Sequence, residues 1–256
     1  MSHAAHLSDT GILPARIGCA GWALSAKVAV RFPGQGTHLE RYAQIFSSVE
    51  INSSFHRSHQ SKTYARWAAS VPYGFRFSVK LPRRISHELK LREAHEAVRQ
   101  FCAEVAPLGE KLGCLLLQLP PSLELDIVTA RNFFSQLRDS TNAKIVCEPR
   151  HRSWFTEQGA QIMRDAGVSC VWADPAPIAT VKPVSTPGML YMRLHGSPRI
   201  YYSSYETPFL EEVSRIIDTV SVNTEVWCIF DNTAAGEAVP NALTLMEIVR
   251  KRSSNS

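Results

Sequence analysis

No apolar stretch in the 256 residues approaches the ~20 that a helix needs to cross a bilayer, so no helical membrane segment is read and no membrane partner is expected. The opening residues, Met1 to Arg16, lack a basic stretch followed by an apolar one, which argues against a secretory signal. No CxxC spacing exists among the six cysteines, and Cys19, Cys114, Cys147, Cys170 and Cys228 lie inside β-like runs, with Cys102 in a helical one. They read as buried reduced thiols rather than as a disulfide scaffold or a metal cluster, and the expected compartment is the cytoplasm. The glycine-rich turn of a dinucleotide fold is missing after the first strand-like run, where Gly18-Cys19-Ala20-Gly21-Trp22 stands instead. HExxH is absent too. Charge is only mildly unbalanced, 28 Lys and Arg against 23 Asp and Glu, for a net +5. That suits a phosphate-bearing ligand but is too weak by itself to argue nucleic-acid binding.

What the chain does contain is repetition. Eight short runs rich in β-branched and aromatic residues recur: Arg16–Ala20, Ser48–Phe55, Arg76–Pro82, Cys114–Pro120, Lys144–Arg150, Val168–Asp174, Met189–Gly196 and Glu225–Asn232. Most stay apolar until a polar residue closes them, as in Leu115-Leu116-Leu117-Gln118, the pattern of strands covered on both faces in a parallel sheet. Helical periodicity fills the gaps, with predicted helices over His38–Phe46, Ser61–Val71 (capped by its Ser), Glu93–Val105, Asp126–Leu137, Phe155–Ala166, Pro208–Val220 and Ala235–Arg250. Pro175 to Gly188, with four prolines, is the weakest connection. Strand–helix alternation of this length, 45% hydrophobic and without a composition break, leaves a barrel or an open doubly wound sheet. Eight units favour a single (β/α)₈ TIM-type barrel over residues 16–250, after a disordered lead-in at 1–15 and before a polar tail at 251–256.

Chemistry in such barrels sits where the strands end. Those ends carry Glu50 and Asn52, Lys80, Gln118, Glu148 and Arg150, Asp174, Arg193 and His195, and Asp231 with Asn232. Alternate strand residues face the same way, so Glu50 with Asn52, Glu148 with Arg150, and Arg193 with His195 share faces, leaving Ile51, Pro149 and Leu194 to the helices. One alternative is a structural layer of ion pairs plugging the barrel, because buried charges must be paired whether or not they do chemistry. Two loops add donors and rings: Glu148 to Phe155, with His151 and Trp154, and Gly196 to Tyr202, followed by Tyr205. The last turn, Asn232 to Gly236, offers free backbone N–H groups to an anion.

At these motifs the chain resembles the YecE-like family of uncharacterised barrel proteins. The carrying segments are Ile17–Trp22, Val49–Phe55, Phe75–Lys80, Leu117–Ser122, Cys147–His151, Arg193–Gly196 and Phe230–Thr233, within a match from about Ile17 to Ile248. The resemblance implies the barrel and the polar mouth, with no settled activity, and a relation to barrel endonucleases of damaged DNA at the level of fold alone. His56 stands where that family usually has a tyrosine, and Asp231 where asparagine is frequent.

The leading functional expectation is an enzyme, a hydrolase or lyase, acting on an anionic small molecule or a nucleic-acid fragment. Glu148 or Glu50 is the expected general base and His195 its acid–base partner. Lys80, Arg150 and Arg193 neutralise the anion, while Asn52, Gln118, His151, Trp154, Asp174, Asp231 and Asn232 complete the binding set. Two alternatives stand beside it: a non-catalytic binding barrel, and a metal-dependent phosphodiesterase. No cofactor is expected, with a divalent metal left open because Glu50, Glu148, Asp174, His195 and Asp231 are suitable ligand types, against which the cations of the same mouth would repel one.

Overall fold

A computed structural model describes residues 15–178, 188–221 and 223–254. In chain order the elements are β1 (Arg16–Cys19), α1 (Ala26–Ala29), α2 (His38–Ala43), β2 (Ser48–Ile51), α3 (Ser61–Ala69), β3 (Arg76–Lys80), α4 (His95–Val105), β4 (Leu112–Gln118), α5 (Ile127–Ser140), β5 (Lys144–Glu148), α6 (Glu157–Asp165), β6 (Val168–Cys170), β7 (Trp172–Asp174), β8 (Met189–Leu194), α7 (Thr207–Thr219), β9 (Glu225–Phe230) and α8 (Ala238–Ser253). All eight expected strand-like runs form strands, and the sixth is divided in two. Among the described residues no helix is long and apolar enough to cross a membrane.

Among the described residues every strand pairing is parallel, but the expected closed barrel is not found. The strands form a five-stranded sheet, β2-β3-β4-β5-β6, and a four-stranded one, β1-β9-β8-β7. Two local causes interrupt the ladder. At one seam the run Val168–Asp174 changes partner: the Val171 N–H still bonds the Cys147 carbonyl at 2.8 Å, whereas β7 pairs with β8. At the other seam the Tyr42 hydroxyl inserts between β1 and β2, accepting from the Cys19 N–H (2.8 Å) and donating to the Ser48 carbonyl (3.0 Å). Among the described residues only one bridge, Ala20 to Glu50, joins the two sheets at this seam. Glycine is required at this seam, since a Cβ on Gly18 would lie 2.2 Å from the Ser48 carbonyl oxygen.

Alternation along the strands separates two apolar clusters. Outward residues such as Ile51, Val79, Leu115, Leu117, Leu194 and Phe230 pack with the helices. The inner cluster draws Cys114, Leu116 and Val146 from one sheet and Tyr191, Trp227 and Ile229 from the other, so the sheets face each other across it. Trp227 stacks on Tyr191 with centroids 5.7 Å apart. This apolar layer is the floor beneath the strand ends.

Three helix starts carry side-chain caps. Thr37 and Glu40 form a reciprocal capping box on α2, Asp126 caps α5, and Thr156 caps α6. The expected Ser61 cap is corrected: Gln60 holds that position, without a side-chain bond. Gly167, at φ 62°, turns the chain out of α6. α1 was not expected. α8 continues to Ser253, so Lys251 to Ser253 of the expected tail are helical. Residues 1–14 of the lead-in, 179–187 of the proline-rich connection and 255–256 of the tail lie outside the described residues. All six cysteines are buried free thiols.

Candidate functional site

Arg193 organises the strand ends. The side chain is fully buried, and four of its five N–H groups meet carboxylates. Nε and one terminal nitrogen grip Glu50 at 3.0 and 2.7 Å, that same nitrogen reaches Asp231 at 3.0 Å, and the other meets Glu148 at 2.5 Å. Burial opposes ionisation, but Glu50, Asp231 and Glu148 together hold the guanidinium charged, well above its ordinary pKa. Beneath it, the Tyr191 hydroxyl lies 2.9 Å from Glu50 and 2.8 Å from the Ser78 Oγ. With one proton to give, Tyr191 donates to the carboxylate and accepts from Ser78.

His195 is the second node. Nδ1 lies 3.0 Å from Asp231 and Nε2 3.0 Å from Glu148, so both ring nitrogens face carboxylates. Burial alone would lower the imidazole pKa, but the hydrogen bonds to Asp231 and Glu148 raise it above its ordinary value, favouring imidazolium. Arg150 also approaches Nε2 at 3.0 Å and Glu148 at 2.5 Å. The two nitrogens cannot both donate to each other; they converge as donors on one Glu148 oxygen. Glu148 sits well below the usual carboxylate range because Arg193, His195 and Arg150 outweigh its burial. Asp231 is held down in the same way by Arg193 and His195, against burial. Asn52 donates to the other Asp231 oxygen at 3.3 Å.

Counting charges shows one that lacks a partner. Arg193, Arg150, protonated His195 and Lys80 face Glu50, Glu148 and Asp231, four cations to three anions. Lys80 is the surplus. It is 6% exposed, its ammonium lies 4.2 Å from the centre of the Phe55 ring, and no carboxylate of a described residue is within ion-pair distance. Burial and the nearby Arg193 charge lower its pKa from 10.5 to about 8. Two further polar atoms here, Asn52 Oδ1 and Arg150 Nε, are buried without a hydrogen-bond partner among the described residues.

Of the thirteen residues expected at the site, the structure joins Glu50, Asn52, Glu148, Arg150, Arg193, His195 and Asp231 in one hydrogen-bonded network, with Lys80 on its edge. Gln118 ends β4 beside Glu148 in register. The other four lie elsewhere. Asp174 pairs in register with outward-facing Leu194, while Ala173 matches Arg193, and its carboxylate accepts from Tyr205 at 2.8 Å. Asn232, one residue past inward Asp231, turns outward and bonds Ser203 and Asn241. His151 bonds Ser153 in the loop, and Trp154 is buried with its indole N–H on the Leu123 carbonyl. Sequence reasoning missed Ser78 and Tyr191, both at inward parity beneath a charged strand end, and Phe55 under Lys80. It noted Tyr201 only as a loop aromatic; the ring stands edge-on to His195, 5.8 Å away.

Among the described residues no three His, Cys, Asp or Glu side chains are arranged to hold a metal ion. The carboxylates best suited by type, Glu50, Glu148 and Asp231, close instead on the Arg193 guanidinium.

Residues 16–256 match the family model described as a protein of unknown function, DUF72. The UPF0759 protein YecE of Escherichia coli K12 is 30% identical over 155 residues, 58% of this chain and 56% of that one, so the match spans just over half of that relative. YunF of Bacillus subtilis, also UPF0759, is 22% identical over 91% of this chain and 94% of its own. Among solved structures, a DUF72 protein of Enterococcus faecalis superposes with a TM-score of 0.79 at 23% identity, covering 93% of this chain and 96% of that one. One from Thermotoga maritima gives 0.77 at 22%, covering 91% and 98%. These two likenesses concern the fold. The parallel strands, the inward polar ends and the family match across nearly the whole sequence lead to one conclusion: the chain belongs to the DUF72 family.

Proposed function

We propose that the mouth is the pocket of an enzyme, a hydrolase or lyase, that acts on an anionic substrate, with the two sheets serving as the wall of a barrel-like enclosure. The observation that carries this reading is Lys80: a buried cation left over when every other charge in the cluster is paired. A structural plug has no reason to keep one, because a buried unpaired charge is costly. A bound anion supplies the missing partner. Arg150, 17% exposed at its side chain and with Nε unpartnered, is the second group that meets it. His195, held protonated, is the proton donor, and Glu148 returns the proton through the shared Nε2 contact. Glu50 faces only Arg193 and Tyr191 and holds the guanidinium in place.

Phosphate or sulfate is therefore expected to raise the melting temperature more than chloride at equal ionic strength, because ligands that bind the native state stabilise it by mass action. Lys80→Met removes the surplus cation and Arg150→Ala the second group that meets the anion, and each should reduce the response to that seen in chloride. Equal responses to sulfate and chloride in the parent would return the cluster to a purely structural role.

The rim favours a second reading, a pocket that holds a nucleic-acid fragment without turnover. Tyr201 and Tyr202 are 41% and 43% exposed, and Arg199 stacks on Tyr202 at 3.9 Å, a surface suited to a base. A short single-stranded oligonucleotide should then bind Tyr202→Ala more weakly than the parent. Equal affinity would end that reading.

A further inference from the structure

The geometry points to Lys80 as a nucleophile that condenses with the carbonyl group of an anionic oxo compound, the shortest such substrate being a 2-oxo acid. The inference rests on the anionic-substrate reading and divides its work: Arg150 meets the anionic group, and Lys80 meets the carbonyl. Four observations converge on this residue. It closes β3 at the strand ends, where the charges of Glu50, Asp231 and Glu148 act on it, the last two hydrogen-bonded to His195. The ammonium forms no ion pair with any described residue, so nothing has to be broken before its nitrogen reacts. One face of it rests on the Phe55 ring and the side chain keeps 6% of its surface open. The adjacent Arg193 charge disfavours a second cation beside it. Desolvation and a cationic neighbour are the two devices that turn a lysine from an ion-pair partner into an amine nucleophile.

The step balances without a further reactant. The ammonium loses a proton to the cluster, and the free amine adds to the carbonyl carbon as the C–O π bond opens. The resulting carbinolamine takes that proton and a second one from nitrogen onto oxygen, which leaves as water. Ammonium plus carbonyl thus becomes iminium plus water, with no oxidant or reductant. The positive charge stays on the Lys80 nitrogen, so the charge count of four to three is preserved and the iminium rests on the Phe55 ring as the ammonium did. Such an iminium is an electron sink for bond cleavage beside the former carbonyl, which fits a lyase better than a hydrolase. In this step His195 and Glu148, hydrogen-bonded to each other, are the groups assigned to move the protons.

The test is reductive trapping on the full chain at pH 7. The protein is mixed with pyruvate, glyceraldehyde 3-phosphate or, as a neutral ketone, acetone, then reduced with borohydride, digested and mapped by mass spectrometry. With a pKa of about 8, a larger share of Lys80 is free amine than of an ordinary lysine near 10.4, by roughly 10²-fold. One reduced adduct is expected, on Lys80, at least ~10-fold above any other lysine, from an anionic probe in preference to acetone, and absent from Lys80→Arg. Adducts spread over lysines without preference for Lys80, or none with either anionic probe, would overturn the inference. If sulfate still stabilises the parent in that case, the anionic-substrate reading survives and the nucleophile alone is rejected. Preferential labelling of Lys80 by acetone and pyruvate alike would keep the nucleophile and reject the anionic preference.

Discussion

Replacing Arg193 with methionine is expected to cost about 3–5 kcal/mol of folding stability, the scale seen when one partner of a buried ion pair is removed. Methionine matches the volume loosely and leaves Glu50, Glu148 and Asp231 facing one another without the cation on which they converge. Coulomb repulsion is part of the loss. The larger part is that Glu50, fully buried, can no longer exchange water for a charged donor, while Glu148 keeps His195 and Arg150. Urea unfolding of parent and variant would read it, with the same slope expected for both. Adding Glu50→Gln to the variant should recover part of the loss, because a neutral amide needs no cation. A loss below ~1 kcal/mol, the scale of an exposed pair, would mean that the three carboxylates do not depend on Arg193.

Lys80→Met should have the opposite sign: the variant is expected to be more stable than the parent at pH 7. Removing Lys80 leaves three cations against three carboxylates. Its pKa, lowered from 10.5 to about 8 by burial and by Arg193, marks the charged form as unfavourable in the folded state. Taken at about 1.4 kcal/mol per pKa unit, that amounts to roughly 3 kcal/mol as an upper bound, and a gain of ~1–3 is expected. The pH dependence follows from linkage. Between about 8 and about 10.4 the unfolded chain binds a proton at this lysine that the folded chain has released, so parent stability rises with pH across that window. The advantage of Lys80→Met is therefore largest below pH 8 and gone by about 10.4. A variant less stable than the parent at pH 7 would show that Lys80 is bound into the cluster and is not its surplus charge. A site residue that costs stability is what functional pockets commonly keep.

Together the two substitutions separate what holds the mouth from what the mouth holds. Arg193 and Lys80 are both cations at strand ends, and composition cannot tell them apart. One has four donor contacts to three carboxylates; the other has a ring and no carboxylate. Of the strand-end charges weighed from the sequence as an ion-pair layer, Arg193 pairs with Glu50, Glu148 and Asp231, and Lys80 stands outside those pairs.

Much of this was legible in the linear order of residues. Each apolar run closed by a polar residue formed a parallel strand, because a strand covered on both faces must exclude polar groups until its end. Spacing of two placed Glu148 with Arg150 and Arg193 with His195 on one side, since strand parity is a local property. Parity also carried a warning at the last strand: Trp227, Ile229 and Asp231 point inward, so neighbouring Asn232 had to point out. Asp174 gave no such signal. Ser169, Val171 and Ala173 differ little in polarity from Cys170, Trp172 and Asp174, and only the register of Ala173 on Arg193 decides which set faces in. The open seams depended likewise on partners far away in the chain, with the Tyr42 hydroxyl reaching between Cys19 and Ser48, and β7 aligned with β8. Local chemistry along the chain determined where strands, helices and polar ends would be, because those follow from neighbouring side chains and the backbone. Only long-range packing decided which charges would be paired, because pairing depends on the register of strands whose paired residues lie 36 to 143 positions apart, and it left Lys80 without a carboxylate.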